Sequence, residues 1–140
     1  MKARYWEHFY HQADIGIRGF GADICEAFEE AATALMAVIC KPENVGPVKE
    51  VNIECRCDDI ELLFADWLNA LIYEMATRRM VFGKFEVHIE GAKLTAKVWG
   101  EKVDPERHET AVEVKGATYT ELKVERNEDG LWIAQCVVDV

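Results

Sequence analysis

Two carboxylates near opposite ends of the chain are the residue types best suited to chemistry. Asp14 lies directly before an alternating stretch that contains Ile15 and Ile17, and Asp139 interrupts an apolar run just before Val140. Carboxylate oxygens, with a main-chain carbonyl or terminal carboxylate at Val140, are hard ligands of the kind that Ca²⁺ or Mg²⁺ prefers. Spacing alone does not bring such distant positions together, and each aspartate could instead cap a turn or end a strand. A shared metal site is therefore one of the interpretations that the residues leave open.

The other polar residues form no recognisable catalytic arrangement. The chain has no serine, and no nucleophile stands with a base and an orienting group. His8 and His11 flank Phe9-Tyr10 and could line a site, whereas the alternation around His88 indicates the solvent side of a strand, and His108 falls in a polar loop. Each histidine could equally serve packing or solvation.

The five cysteines are more typical of small buried hydrophobes than of ligands. Their odd number without regular spacing does not describe a disulfide framework. Cys55 and Cys57 have no second cysteine pair to complete a tetrahedral zinc site. Gly19-Phe20-Gly21 lacks the third glycine of a dinucleotide-binding loop, so we interpret it as a turn from a strand into a helix. With neither a signal peptide nor an apolar stretch of about 20 residues, we expect a cytoplasmic protein and no membrane partner.

The charge of the chain argues against unaided binding to nucleic acid. Asp and Glu number 26 against 16 Lys and Arg, which gives a formal net charge of −10. Proteins that hold nucleic acid by themselves usually carry a basic patch, and the longest basic run here is Arg78-Arg79. We therefore expect no strong direct nucleic-acid binding, and contact with a basic protein or a cation instead.

Two amphipathic helices must position these residues. The first is predicted to begin at Asp23, with Glu26 reaching back as in a capping box, and to end before Pro42. The second is predicted to begin at Asp58, with Glu61 in the same role, and to run to about Thr77 or Arg79.

Alternating apolar residues predict strands in the rest of the chain. They cover 15–20, 51–57, a hairpin over 84–99, short strands around Val112 to Val114 and Leu122 to Val124, and a last strand over 131–138. The last strand is apolar on both faces, which favours a central position. The order of elements predicts an α+β fold, in which two helices pack on a largely antiparallel (mixed) β-sheet in a single-domain sandwich over residues 1–140.

The chain resembles the archease family in six segments that follow one order along nearly its whole length. These segments are 11–21 (HQADIGIRGFG), 26–32 (EAFEEAA), 67–73 (WLNALIY), 100–108 (GEKVDPERH), 113–119 (EVKGATY) and 138–140 (VDV). It departs from the family at Tyr10, where many members have an acidic residue, and at Gln12, where they have threonine.

The resemblance implies an accessory protein and not a catalyst. Archeases assist the tRNA-splicing RNA ligase that joins 3′-phosphate or cyclic-phosphate ends to 5′-hydroxyl ends, by promoting ligase guanylylation and multiple turnover. The resemblance also implies a divalent cation, typically Ca²⁺, bound by Asp14, Asp139 and Val140. Lys115 and His11 are candidates for contact with a partner or a nucleotide.

Two alternatives stand beside this interpretation. The same acidic surface could serve a chaperone-like modulator of a tRNA cytosine methyltransferase, a role also suggested for the family. A metal-dependent hydrolase would use Asp14 and Asp139 to hold the cation and His11 as a base. The small number of ligands and the lack of a second carboxylate cluster disfavour the hydrolase.

Overall fold

The computed structural model describes residues 4–140, which form helices and antiparallel strands. The two long helices are α1 (Ile24–Ile39) and α2 (Ile60–Arg78), and a short α3 covers Pro105–His108. A 3₁₀ turn at Pro42–Asn44 follows α1. The predicted α+β class is confirmed, with the first helix ending before Pro42 and the second ending at Arg78.

The strands form two antiparallel sheets. The first sheet has the order β1-β2-β8-β6, with β7 also paired to β8, and the second has the order β3-β5-β4. In chain order the strands are β1 Tyr5–His11, β2 Asp14–Gly21, β3 Lys49–Arg56, β4 Met80–Glu90, β5 Lys93–Lys102, β6 Gly116–Ala117, β7 Lys123–Arg126 and β8 Trp132–Asp139. The last strand has neighbours on both sides, as its apolar faces predicted.

Each long helix packs against strands of both sheets, and one hydrophobic cluster joins them. Phe28, Phe64 and Trp67 are fully buried within this core. Trp67 keeps its indole N–H satisfied there by donating to the carbonyl of Phe28 at 3.1 Å. At Gly19 the first helix approaches β2 so closely that an added Cβ would lie 2.3 Å from the Ala27 carbonyl oxygen. The alternation of apolar residues along β2 is therefore interrupted by glycine where the helix crosses it.

Side chains of the helices also accept from the free N–H groups of three strand edges. Glu29 of α1 accepts from Val87 of β4 at 2.8 Å. Glu61 of α2 accepts from Val124 of β7, and Asn69 accepts from Ala117 of β6. Covered edges do not offer a template for pairing with another chain, so these polar helix residues join the layers and protect the sheets.

The structure corrects the cap of the second helix. Asp59, and not Asp58, is the N-cap, and its carboxylate accepts from the amides of Glu61 and Leu62 at 2.9 and 3.0 Å. The first helix does begin at Asp23, which accepts from Glu26 N at 2.8 Å, while Glu26 reaches back to the amide of Ala22.

Two features of the strands differ from the sequence prediction. Residues 110–115 form no strand, because their main chain is held by other elements: Ala111 donates to the carbonyl of Ile39, and Lys115 donates to that of Asp139. The structure also contains β1, which alternation did not predict, since Trp6, His8 and Tyr10 are mixed with other aromatic and polar residues. Within residues 4–140, no helix is long and apolar enough to span a membrane.

Candidate functional site

The β1–β2 hairpin and the end of β8 bring three of the candidate residues into one row across the first sheet. His11 and Asp14 are the pair that closes the hairpin, whose turn is Gln12-Ala13 with Gln12 in the left-handed region at φ 56°. Ile15 pairs with Val138, so the same register sets Asp14 opposite Asp139 one residue further out. We call His11, Asp14 and Asp139 the sheet-end row.

The row lies on the face of the sheet that points away from the helices. Ile15 and Ile17 of β2 pack toward the core, and side chains alternate along a strand. On the other face, the Arg18 guanidinium lies 4.4 Å from the centre of the Phe9 ring, and its Nε donates to Gln135 at 2.7 Å. Asp14 has the parity of Arg18, so it belongs to this outer face.

The two aspartates are positioned as a pair of oxygen donors open to solvent. Directly opposed residues on antiparallel strands have Cβ atoms about 4.5–5.5 Å apart, which is close enough for two carboxylates to reach one cation. Asp14 and Asp139 are both exposed, and within residues 4–140 neither has a salt-bridge partner. Val140 follows Asp139 directly and is 39% exposed.

The donor set fits a hard cation but is incomplete in protein side chains. In the described part of the chain, no three His, Cys, Asp or Glu side chains cluster in a way that could hold a metal. His11 therefore does not extend the aspartate pair to a three-side-chain centre. Ca²⁺ takes about 6–8 oxygen ligands, so a cation at this edge would use the two carboxylates, the oxygens of Val140 and water.

The two positions at which this chain departs from the family it resembles, Tyr10 and Gln12, do not belong to the sheet-end row. Tyr10 is 84% exposed, and strand alternation places its side chain on the face opposite to His11. An acidic residue at position 10 would therefore not add a ligand to the aspartate pair. Glu7 shares the outer face, but its carboxylate accepts from Arg18 Nη1 at 2.5 Å and so is committed elsewhere.

Lys115 lies beside the row but belongs to another surface. Its main-chain N–H donates to the carbonyl of Asp139 at 2.7 Å, and β6 begins at the next residue. The residue is exposed, and it lines a cavity of about 700 Å³ on the helix side of the sheet with Ile72 and Met75. The main chain at this position therefore meets the sheet-end row, whereas the side chain stands at the rim of a groove.

A hydrogen-bond network around one buried side chain joins the end of β5 to α3, and no pattern in the sequence predicted it. His108 is fully buried, its Nδ1 accepts from the amide of Asp104 at 2.9 Å, and its Nε2 donates to Glu101 at 3.2 Å. Arg107 makes two further bonds to Glu101, and the amide of Gly46 makes another. Hydrogen bonding to Arg107 and to Gly46 lowers the pKa of Glu101 from 4.5 to about 2. In the sequence this network is Glu101 followed six and seven residues later by Arg107 and His108. The stretch is polar, which favoured a solvated loop.

The thiols have the properties of structural cysteines. Burial raises the pKa of Cys40 and Cys55 to about 11 and that of Cys136 to about 12. A thiol is a nucleophile or a metal ligand as its thiolate, so these three are held in the unreactive form at neutral pH.

The fold and the sheet-end row define a small acidic α+β protein with an open pair of oxygen donors at one sheet edge. Residues 6–140 match the archease protein family (MTH1598/TM1083). The chain is 45% identical to the Protein archease of Pyrococcus furiosus, over 98% of this chain and 99% of that protein. It is 36% identical to the Protein archease of Methanosarcina mazei, over 99% and 98% respectively.

A solved structure agrees with this match. The solution structure of Methanobacterium thermoautotrophicum protein 1598 superposes with a TM-score of 0.78 at 31% identity, and covers 96% of this chain and 98% of that one. This chain belongs to the archease family.

Proposed function

We propose that this protein activates a tRNA-splicing RNA ligase, promotes guanylylation of that ligase and allows it multiple turnovers in tRNA splicing or RNA repair. Membership of the archease family supports this role. The observation that carries it is the alignment of Asp14 with Asp139 on neighbouring strands, both exposed at one sheet edge. The protein acts in the cytoplasm as a protein cofactor and is not the catalyst.

The sheet-end row is the part that engages the ligase, and it does so with a divalent cation, Ca²⁺ in our proposal. Asp14, Asp139 and the oxygens of Val140 hold the cation, and His11 and Lys115 flank them as contacts to the ligase or its nucleotide. A bound cation neutralises the facing carboxylates and lets an otherwise acidic edge approach phosphates or a metal-dependent centre. The chain's own residues provide position and charge, and the ligase performs the bond-forming step.

The test is RNA ligation by the cognate ligase present at one tenth of the substrate concentration. We expect ligation to stop near one turnover without this protein and to continue past it with the protein. Asp14→Asn and Asp139→Asn should each fail to support multiple turnover, because each substitution removes one charged ligand but preserves side-chain volume.

Asp58→Asn is the matched control, since Asp58 is exposed and does not cap α2. It should behave as the wild type. A wild-type protein that leaves ligation unchanged would refute the ligase role. Hydrolysis of a phosphoester by the purified protein alone, lost in Asp14→Asn, would favour an enzyme instead.

A further inference from the structure

A groove lies between the C-terminal ends of the two long helices and the segment 103–115. It has a volume of about 700 Å³, which is in the range of about 300–1,000 Å³ typical of binding pockets. Its floor is aliphatic and includes Ile39, Ile72 and Met75, all half-buried. Val103 and Val112 line its outer wall and are 42% and 43% exposed.

The rim of this groove is positively charged, in contrast to the chain as a whole. Arg79 and Lys115 are exposed at the rim, and Glu113 is the one carboxylate among the lining residues. Within residues 4–140, neither Arg79 nor Lys115 forms a salt bridge, whereas the neighbouring Arg78 is paired with Glu74 at 2.6 Å. A chain with a net charge of −10 thus presents two available cations beside an apolar floor.

We propose that this groove binds a peptide segment of a partner protein in which apolar side chains are combined with carboxylates. Apolar side chains would cover Ile72, Met75 and Val112, and acidic groups would meet Arg79 and Lys115. Methionine adapts its shape to different partners, and complementary charge at a rim gives specificity to such contacts.

The lining argues for a peptide over a nucleotide. Among the residues that the structure describes, no aromatic side chain lines the groove, and stacking on aromatic rings is the usual means of holding a base. Several amides of the wall are also already used, since Thr110 donates to Pro105, Ala111 to Ile39 and Lys115 to Asp139. They are therefore not free to form a phosphate-binding nest.

The main chain that forms the outer wall is anchored at both ends. Val103 donates to the carbonyl of Arg79 at 3.0 Å, and Ala111 donates to that of Ile39 at 2.8 Å. These bonds fix the wall to the C-cap of α2 and to the last residue of α1, so the groove exists before its ligand arrives. A preformed site loses less conformational entropy on binding.

The peptide-binding groove rests on the proposed ligase role in one respect only, the identity of the partner that carries the peptide. Its test uses neither the ligase nor a metal, so its failure can be distinguished from failure of the ligase role. The probe is a fluorescein-labelled six-residue peptide of alternating Leu and Glu, titrated by anisotropy. Two control peptides replace all Leu by Ser or all Glu by Lys.

We expect the Leu-Glu peptide to bind and both control peptides to bind at least about tenfold more weakly. Val112→Asp should weaken binding by about tenfold or more, because it replaces an apolar contact with a carboxylate that must be desolvated and that repels the acidic side chains of the peptide. Arg79→Asn should weaken it by about threefold through loss of one screened charge. Asparagine tolerates the left-handed backbone that Arg79 adopts at φ 55°.

Val48→Asp and Arg56→Asn are the matched controls, because both residues are exposed and lie outside the groove. They should leave the affinity unchanged. Equal binding by the Val112→Asp and wild-type proteins, or no binding of the Leu-Glu peptide, would overturn the proposal. Methyl shifts of Ile72 and Val112 with GTP but not with the peptide would assign the groove to a nucleotide and reject a peptide. A dimer that Val112→Asp dissociates would assign it to a second copy and reject it likewise.

Discussion

Asp14 and Asp139 carry like charges at the positions one residue beyond Ile15 and Val138, the last pair of the β2–β8 ladder. Such a pair is destabilising by itself, and the surrounding residues do not relieve it: within residues 4–140 no salt bridge reaches either carboxylate. A chain that bound nothing here would be more stable with one of the charges removed. The pair is thus not explained by stability, which leaves the proposed cation site to be tested.

Relative to the wild type, Asp14→Asn should therefore be more stable without metal and less stable with it. In EDTA we expect it to raise the free energy of unfolding by about 0.2–1 kcal/mol, the size of a cross-strand charge effect. In millimolar Ca²⁺ the wild type should gain stability and the variant should not, because ligand binding to the folded state adds stability. Thermal unfolding in both conditions measures this. A variant that is less stable than the wild type in EDTA would show that Asp14 has a structural role instead.

Glu101 illustrates how a single carboxylate can hold a loop. Its side chain is 14% exposed and accepts from Arg107, His108 and the amide of Gly46. The amide of Asp104 donates to Nδ1 of His108, so the ring's proton lies on Nε2 and is donated to Glu101. The ionised form of Glu101 is thus bonded from three sides, which explains its low pKa.

The pH dependence of stability should report this network. Because folding lowers the pKa of Glu101 from 4.5 to about 2, the resulting stabilisation is complete above pH 4.5 and disappears as the pH falls toward 2. Glu101→Gln should lower the denaturant midpoint at pH 7 and reduce the loss of stability between pH 4.5 and pH 2. Glu106→Gln, at an exposed residue of α3, is the control. Identical pH profiles for Glu101→Gln and the wild type would contradict the assignment.

At the scale of elements, local signals in the sequence were sufficient where a helix or strand is stabilised by its own neighbours. The cap at Asp23, the end of α1 before Pro42 and the hairpin of β4 and β5 follow from such signals. Residues 110–115 did not, because their amides are used by α1 and β8, which lie far away in the chain. That Asp14 and Asp139 lie at the same end of neighbouring strands is likewise set by the pairing of β2 with β8, which no local pattern encodes.

Two adjacent aspartates precede α2, and only one of them is its N-cap. Asp59 accepts from two amides of the first turn, while the exposed Asp58 is not the cap. Asp59→Ala should cost about 1 kcal/mol of stability, as loss of an N-cap usually does. Asp58→Ala should change stability by less than about 0.5 kcal/mol, as for an ordinary surface position. Urea unfolding of the two variants measures the difference, and equal losses would indicate that the two carboxylates share the cap.

For the molecule as a whole, charge determines what can approach it. A net charge of −10 repels RNA at long range and favours a basic partner protein. The sheet-end row and the groove with its cationic rim are adjoining surfaces, connected at Lys115, whose amide bonds to Asp139 and which also lines the groove. A partner could therefore contact both at once, one surface through a cation and the other through acidic and apolar side chains.

Under the proposed function, higher salt should weaken activation of the ligase. Direct binding of RNA to this protein should not contribute to that effect. The concentration of this protein that gives half-maximal multiple turnover should rise as NaCl increases from about 50 to 500 mM, because the Debye length shrinks below 10 Å over that range. The single-turnover rate of the ligase alone, measured at each salt concentration, corrects for effects on the enzyme. Anisotropy of a labelled RNA should show no binding to this protein at about 0.15 M salt, where the repulsion is only partly screened. Tight RNA binding, with a binding constant whose logarithm falls linearly with the logarithm of the salt concentration, would instead identify a phosphate-binding surface.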